Sequence, residues 1–162
     1  MLGIGVTATD TEIGKTVVSG ALAAAMQYRG YKTGVYKPAA SGCVNNSAGK
    51  LISTDAEFLL HCAGLQMEEH DKVVPYVLKD ALAPAEASRL AGVKIELRVM
   101  LAGARQMLSN HQISIVEGVG GISAPLTEDY LVKDFFRDLQ LPLVIVVKAV
   151  LGNVNHAVLT AE

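Results

Sequence analysis

A glycine, a lysine and a threonine stand in succession near the start of the chain, at Gly14, Lys15 and Thr16. They follow a short apolar run at residues 2–7 and open an Ala-rich helical pattern. A strand that turns through a loop into a helix in this way directs backbone N–H groups and the positive end of the helix dipole towards one anion. Lys15 adds a mobile positive charge, and the Thr16 hydroxyl suits Mg²⁺. The pattern therefore predicts a nucleoside-triphosphate site.

The loop before this tripeptide departs from the usual spacing. Glycine is expected five positions before Gly14, where this chain has Thr9, preceded by Ala8. If either position needs a left-handed backbone, a residue with a side chain costs about 1–2 kcal/mol there. The sequence alone leaves the shape of this part of the loop open.

Two carboxylates are candidates for the metal shell that a triphosphate needs. Glu117 follows the apolar run at residues 113–116 and precedes a glycine-rich stretch that allows a ligand to approach the backbone closely. This placement resembles an acid that completes a Mg²⁺ shell opposite Thr16, although a surface glutamate in a turn has the same pattern. Asp55 is either a second metal ligand or an acid favoured by the dipole in the first turn of a helix.

A second lysine, Lys37, follows the apolar run at residues 32–36 and precedes Pro38, which keeps the chain extended. Two lysines aimed at one phosphate stabilise the charge that develops during phosphoryl transfer. A lysine at the end of a strand is also compatible with simple solvation. If both lysines face the same cleft, the residue types favour an enzyme that transfers a phosphoryl group.

The elements that must position these residues alternate along the chain. Strands are predicted at residues 2–7, 32–36, 113–116 and 143–147, and helices at residues 15–29, 54–62, 84–91, 96–108 and 131–139, with a further helical pattern from Asn153 onwards. This alternation predicts an α/β fold of the P-loop NTPase type, a doubly wound and mostly parallel sheet with helices on both faces. In such a sheet ligands bind at the carboxyl ends of the strands, so we expect all four ends to converge on one cleft.

The amino-acid composition limits which binding partners and which cellular compartment we expect. The 162 residues are 51% hydrophobic, and 14 basic residues face 16 acidic ones without a basic cluster, which argues against nucleic acid or a membrane surface as partner. Cys43 and Cys62 lack metal-binding spacing and are interpreted as reduced thiols. The first residues lack the pattern of a signal peptide, so we expect a cytoplasmic protein. His61, His70 and His111 are interpreted as ordinary surface or core residues.

The last helical pattern starts at Asn153 with a good cap residue and reaches Glu162 without a stop signal or a following strand. A sheet of this class normally has at least one more strand and helix. We therefore expect residues 1–162 to form a single P-loop α/β domain that lacks its C-terminal part.

Five blocks, taken together in this order and spacing, resemble the dethiobiotin synthetase family. They lie at residues 9–16, 36–42, 53–56, 116–121 and 152–156. The resemblance implies a ligase of biotin biosynthesis that uses ATP, Mg²⁺ and CO2 to close a cyclic urea on 7,8-diaminopelargonate, and that works as a homodimer. One amine takes up CO2 as a carbamate, ATP phosphorylates it to a carbamic-phosphoric anhydride, and the second amine displaces phosphate. The nucleotide-base pocket would lie largely beyond Glu162.

The resemblance also implies a role for each matching residue. Mg²⁺ would be held by Thr16, Asp55 and Glu117, and the catalytic groups would be Thr11, Glu12, Lys15 and Lys37. The nucleotide would be bound by Glu12, Ile13, Gly14, Lys15, Thr16, Val17, Glu117 and Gly118. The substrate would be bound by Thr11, Lys37, Ser41, Gly118 and Asn155. Asn155, at the opening of the last helix, would meet the substrate carboxylate across the dimer interface.

Two alternatives remain at this point. One is a related amide-forming ligase of cobalamin biosynthesis, which would need a glutaminase domain with a nucleophilic cysteine that this chain does not show. The other is a nucleotide-binding regulatory module of the ParA type. Such proteins usually carry a second lysine early in the phosphate loop, where this chain has Thr9 and Asp10.

Overall fold

The computed structural model describes residues 2–162. Its strands are β1 (Leu2–Ala8), β2 (Thr33–Tyr36), β3 (Val44–Asn45), β4 (Leu51–Ile52), β5 (Ile113–Glu117), β6 (Pro125–Thr127), β7 (Tyr130–Leu131) and β8 (Leu143–Val146). Its α-helices are α1 (Lys15–Tyr28), α2 (Thr54–Ala63), α3 (His70–Val73), α4 (Pro84–Ala91), α5 (Leu97–Asn110), α6 (Val132–Leu139) and α7 (Asn153–Ala161), with a 3-10 turn at Met67–Glu69. The predicted α/β fold of the P-loop NTPase type is confirmed.

The central sheet contains four parallel strands in the order β2-β5-β1-β8. Strands β2 and β5 are buried along their whole length, as expected for strands inside a parallel sheet that is covered on both faces. The register places Val6 of β1 opposite Glu117 of β5, and Tyr36 of β2 opposite Val116. The three strands therefore end at the same edge of the sheet, and the loops that follow them start side by side.

Helices α1 and α2 pack closely at Gly20, where a Cβ atom would lie 2.3 Å from Phe58 and 2.9 Å from the Cys62 sulfur. Only a residue without a side chain permits this approach. The contact fixes α2, which carries Asp55, against the helix that follows the phosphate loop. Within residues 2–162, no helix is long and apolar enough to cross a membrane.

The predicted strands and helices are confirmed, with bounds that differ by no more than two residues. Ser53 caps α2, since its Oγ accepts a hydrogen bond from the N–H of Ala56 at 3.2 Å. Asn153 is the first residue of α7 rather than its cap, and Gly152 takes the cap position with φ of 93°. The sequence did not predict two small hairpins, β3–β4 and β6–β7, or the four-residue helix α3.

Candidate active site

The phosphate loop leaves the start of α1 open. Gly14 is the N-cap residue with φ of 99°, and no side chain caps the helix. Apart from glycines, only Glu12 and Gln140 among the described residues have positive φ, so Ala8 and Thr9 adopt ordinary conformations and the strain expected for a side chain there is absent. The first N–H groups of α1 are thus available to an external acceptor.

Lys15 lies against this loop, where its Nζ donates to the carbonyl oxygen of Asp10 at 3.4 Å. Burial lowers the pKa of the Lys15 ammonium, and the nearby charge of Lys37 lowers it further, although Glu117 opposes both effects. A buried ammonium that lacks a carboxylate at contact distance is under-compensated. Lys15 is therefore prepared to bind a negatively charged ligand.

Lys37, Asp55 and Glu117 form an ion-pair cluster at the strand ends. The Lys37 Nζ lies 2.6 Å from Asp55 Oδ2 and 2.6 Å from Glu117 Oε1. Burial opposes the charge on Lys37, but the attraction of the two carboxylates outweighs it and raises the pKa of the ammonium. Glu117 is fully buried, whereas the side chain of Asp55 is 47% exposed.

The same carboxylates, with Thr16, offer hard oxygen ligands. The Thr16 hydroxyl donates to Glu117 Oε1 at 3.0 Å, which joins the phosphate loop to the ion-pair cluster. Glu117 Oε2 is buried and has no hydrogen-bond partner among the described residues. No group of three His, Cys, Asp or Glu residues that could hold a metal occurs in the described part of the chain. A metal here would take its other ligands from phosphate and water, which suits Mg²⁺.

The segment that follows β2 is held by the last residue of α3 and by the chain that follows it. The N–H of Lys37 donates to the carbonyl oxygen of Val73 at 2.9 Å, and the N–H of Ala40 donates to that of Tyr76 at 2.8 Å. Pro38 between them has no N–H to satisfy. These bonds fix the backbone from which Lys37 and Ser41 extend.

These elements enclose a cleft of about 730 Å³. Ten predicted site residues line it: Thr11, Glu12, Gly14, Lys15, Thr16, Val17, Lys37, Ser41, Asp55 and Glu117. The rest of the lining is largely apolar and includes Ala81, Leu82, Ala83, Pro84, Val119 and Ala124. The cleft thus joins an anion site with paired charges to a wall that suits an apolar chain.

Comparison with known proteins assigns the family. The AAA_26 family, described as an AAA domain, matches residues 3–162. The chain belongs to this family.

Similar curated proteins carry the name that the sequence motifs indicated. The ATP-dependent dethiobiotin synthetases BioD of Bacillus thuringiensis (strain Al Hakam) and Bacillus cereus (strain 03BB102) are each 45% identical over 161 residues, which is 99% of this chain and 64% of theirs. The protein of the same name from Bacillus cereus (strain G9842) is 44% identical over the same shares. The resemblance to dethiobiotin synthetase is confirmed, and the chain spans about 64% of the length of these relatives.

Three predicted site residues of this AAA_26 member lie outside the lining of the cleft. The N–H of Gly118 donates to the carbonyl oxygen of Val6 at 2.9 Å, Ile13 packs against the core, and Asn155 is exposed on α7. No described residue after Ala124 lines the cleft, so three strand ends meet there rather than the expected four. The substrate role of Asn155 was expected across a dimer interface and stays a prediction.

One residue near the site was missed by the sequence analysis. His70, interpreted there as an ordinary surface or core residue, is buried, and its Nε2 accepts a hydrogen bond from the N–H of Ser53 at 3.1 Å, which the sequence did not indicate. Ser53 caps the helix that carries Asp55. The residue type and position of Ser53 indicate a helix cap. No pattern in the sequence indicated a contact between Ser53 and His70.

Proposed function

We propose that this protein acts as an ATP-dependent dethiobiotin synthetase, a ligase that closes a cyclic urea on 7,8-diaminopelargonate with CO2. The names of its relatives and the residues in the cleft support this proposal. The observation that carries it is the position of Lys37 Nζ, 2.6 Å from both Asp55 and Glu117, at the same edge of the sheet as the phosphate loop. A switch protein needs the loop, but it has no need of this additional buried lysine.

In this proposal ATP lies with its phosphates at the start of α1. The open N–H groups there and the Lys15 ammonium bind the phosphate oxygens. Ile13, Val17 and Gly118 contribute backbone close to the nucleotide. The pKa of Lys15 is lowered mainly by burial, which removes water from the ammonium. A bound phosphate would offset this desolvation cost, which is already present in the folded protein.

Mg²⁺ would be held by Thr16, Asp55 and Glu117, which supply a hydroxyl and two carboxylates within one connected hydrogen-bond cluster. When bound, Mg²⁺ would offset the negative charge of the phosphates and of the group that is transferred. Glu117 Oε2, buried without a partner among the described residues, is the free acceptor that such an ion requires.

The chain's own groups would then position the reacting atoms. One amine of the substrate adds CO2 and loses a proton to give a carbamate, whose oxygen attacks the γ-phosphorus as ADP leaves. The second amine attacks the activated carbonyl carbon, and phosphate leaves as the ring closes. Lys37 stabilises the negative charge of the carbamate and the phosphoryl group. Thr11, Glu12 and Ser41 orient the diamine and carbamate by hydrogen bonds.

The remaining features of the proposal concern the whole protein. We propose a homodimer, in which Asn155 at the start of α7 approaches the substrate carboxylate of the other subunit. Val154, Val158 and Leu159 on α7 are exposed, as a surface that meets a second copy would require. Two free thiols, Cys43 and Cys62, fit the reducing cytoplasm.

The test is whether the purified protein releases phosphate from ATP. We expect release only when diaminopelargonate and bicarbonate are both present, with dethiobiotin formed in equal amount. Release without the diamine would indicate a switch ATPase instead. If ATP binds but no phosphate appears under any condition, the chain is a nucleotide-binding module and the proposal is wrong.

A further inference from the structure

The four-residue helix α3 bonds to the backbone of Lys37 and to that of Ser53, two residues before Asp55. At its first residue, His70 Nε2 accepts a hydrogen bond from the N–H of Ser53 at 3.1 Å. At its last residue, the carbonyl oxygen of Val73 accepts from the N–H of Lys37 at 2.9 Å. One short element thus fixes the main chain next to both side chains.

The bond to Ser53 matters because this residue determines where α2 begins. Ser53 is buried, its Oγ caps the helix through the N–H of Ala56, and its carbonyl oxygen accepts from the N–H of Glu57 at 3.1 Å. Asp55 lies in the first turn, two residues after the cap. A shift of the Ser53 backbone would therefore move the Asp55 carboxylate relative to the Lys37 ammonium.

The geometry also determines which imidazole nitrogen carries the proton. A nitrogen that accepts an N–H must present a lone pair, so Nε2 of His70 is unprotonated and the proton is on Nδ1. There it faces Asp71 Oδ1 at 3.1 Å. Lys50 Nζ in turn holds Asp71 by bonds of 2.9 and 2.7 Å to its two oxygens. Asp71 thus selects the tautomer that can accept from Ser53.

We propose that His70 is a positioning residue for the metal-binding carboxylate Asp55. It acts through the backbone of Ser53, and Asp71 keeps its imidazole in the accepting tautomer. The inference rests on the proposed function, since it assumes that Asp55 binds the metal that accompanies the nucleotide. The imidazole of His70 bonds to Ser53 and Asp71 and not to Asp55 or the phosphate loop, so its effect should appear in metal affinity and not in nucleotide affinity.

The first experiment uses the unaltered protein. Long-range 1H–15N NMR correlations of the imidazole rings report which nitrogen of each histidine is protonated. We expect His70 to show a protonated Nδ1 and an unprotonated Nε2, and the Ser53 amide to exchange slowly with solvent. A protonated Nε2 would exclude the bond to Ser53 and overturn the proposal.

The second experiment compares variants of the purified protein in Mn²⁺ binding, measured by electron paramagnetic resonance with a non-hydrolysable ATP analogue present. His70→Leu removes the acceptor, and we expect Mn²⁺ affinity to fall about tenfold or more. His70→Gln offers an amide oxygen near the position of Nε2, and we expect it to restore most of the affinity. His61→Leu, at an exposed histidine on α2, the helix that carries Asp55, is the control and should bind Mn²⁺ normally.

The affinity for the ATP analogue without metal separates positioning from general damage to the fold. We expect it to stay within about twofold in every variant, because the phosphate loop is a separate element. If His70→Leu and His70→Gln both bind Mn²⁺ as the unaltered protein does, the positioning role is wrong while the proposed function stands. If the unaltered protein binds no Mn²⁺ in the presence of the analogue, the proposed function is wrong, and the inference that rests on it is wrong with it.

Discussion

Lys37 Nζ lies 2.6 Å from Glu117 Oε1, and both side chains are almost completely removed from solvent. A buried charge pair of this kind loses its hydration, and it is tolerated only when each partner compensates the other. In this site the lysine therefore has a structural role in addition to the chemical role proposed for it. It keeps the charged form of Glu117 inside the protein, next to Thr16.

The chemical role of Lys37 is tested by Lys37→Gln. We expect turnover to fall by about 100-fold or more, because the positive charge acts mainly on charge that develops in the transition state. Affinity for an ATP analogue should change little, since Lys15 and the start of α1 remain. Phosphate release and analogue binding measure the two effects. Lys133→Gln, at an exposed lysine of α6, is the control, and unchanged turnover in Lys37→Gln would overturn the assignment.

The structural role of the same residue is tested by unfolding in urea with EDTA present. Lys37→Gln leaves Glu117 buried without its cation, so we expect the free energy of unfolding to fall by about 3–5 kcal/mol. The double variant Lys37→Gln, Glu117→Gln removes the uncompensated charge and should recover a large part of this loss. A double variant that is less stable than the single one would show that Lys37 does not stabilise the fold through Glu117.

Much of this arrangement could be predicted from the sequence because it depends on local patterns. Short apolar runs identify β1, β2, β5 and β8, and the P-loop tripeptide identifies the start of α1. A parallel sheet then brings the residues after its strands to one edge, which is why Lys37 and Glu117 were placed at the same cleft. The fold class follows from these regularities alone.

The remainder depends on contacts that no short-range pattern encodes. Strands β3 and β4 have two residues each, and α3 has four, which is too short for any periodicity to appear. The bond between His70 and Ser53 joins residues that are 17 positions apart. The segment after β8 follows a strand like the others, yet it does not reach the cleft within one chain.

The two ends of α1 provide a matched test of the phosphate loop. Gly14 and Gly30 have φ of 99° and 84°, and a Cβ atom at either position would meet no atom within 4 Å. Gly14→Ala and Gly30→Ala should each lower the free energy of unfolding by about 1–2 kcal/mol through backbone strain alone. Only Gly14→Ala should weaken binding of an ATP analogue, as seen by calorimetric titration. If both variants bind the analogue equally well, the backbone conformation of Gly14 is not needed for nucleotide recognition.

The pH dependence of stability is a test of the Lys50–Asp71–His70 chain. Hydrogen bonds from Lys50 and then from His70 hold the pKa of the Asp71 carboxyl below its usual value of 3.8. A carboxyl whose pKa is lower in the folded state contributes stability above the unfolded pKa, and this contribution disappears as the pH falls through the folded pKa. Since 67% of the Asp71 side chain is exposed, solvent screening limits the effect to less than about 1 kcal/mol.

We therefore expect Asp71→Asn to be slightly less stable than the unaltered protein at neutral pH, and the difference to vanish at acid pH, below the usual range of the carboxyl. Urea unfolding at a series of pH values between neutrality and acid measures this convergence. Asp129→Asn, at an exposed aspartate in the turn between β6 and β7, is the control and should follow the unaltered protein throughout. A difference for Asp71→Asn that persists at acid pH would mean that the residue stabilises the fold through packing and not through its charge.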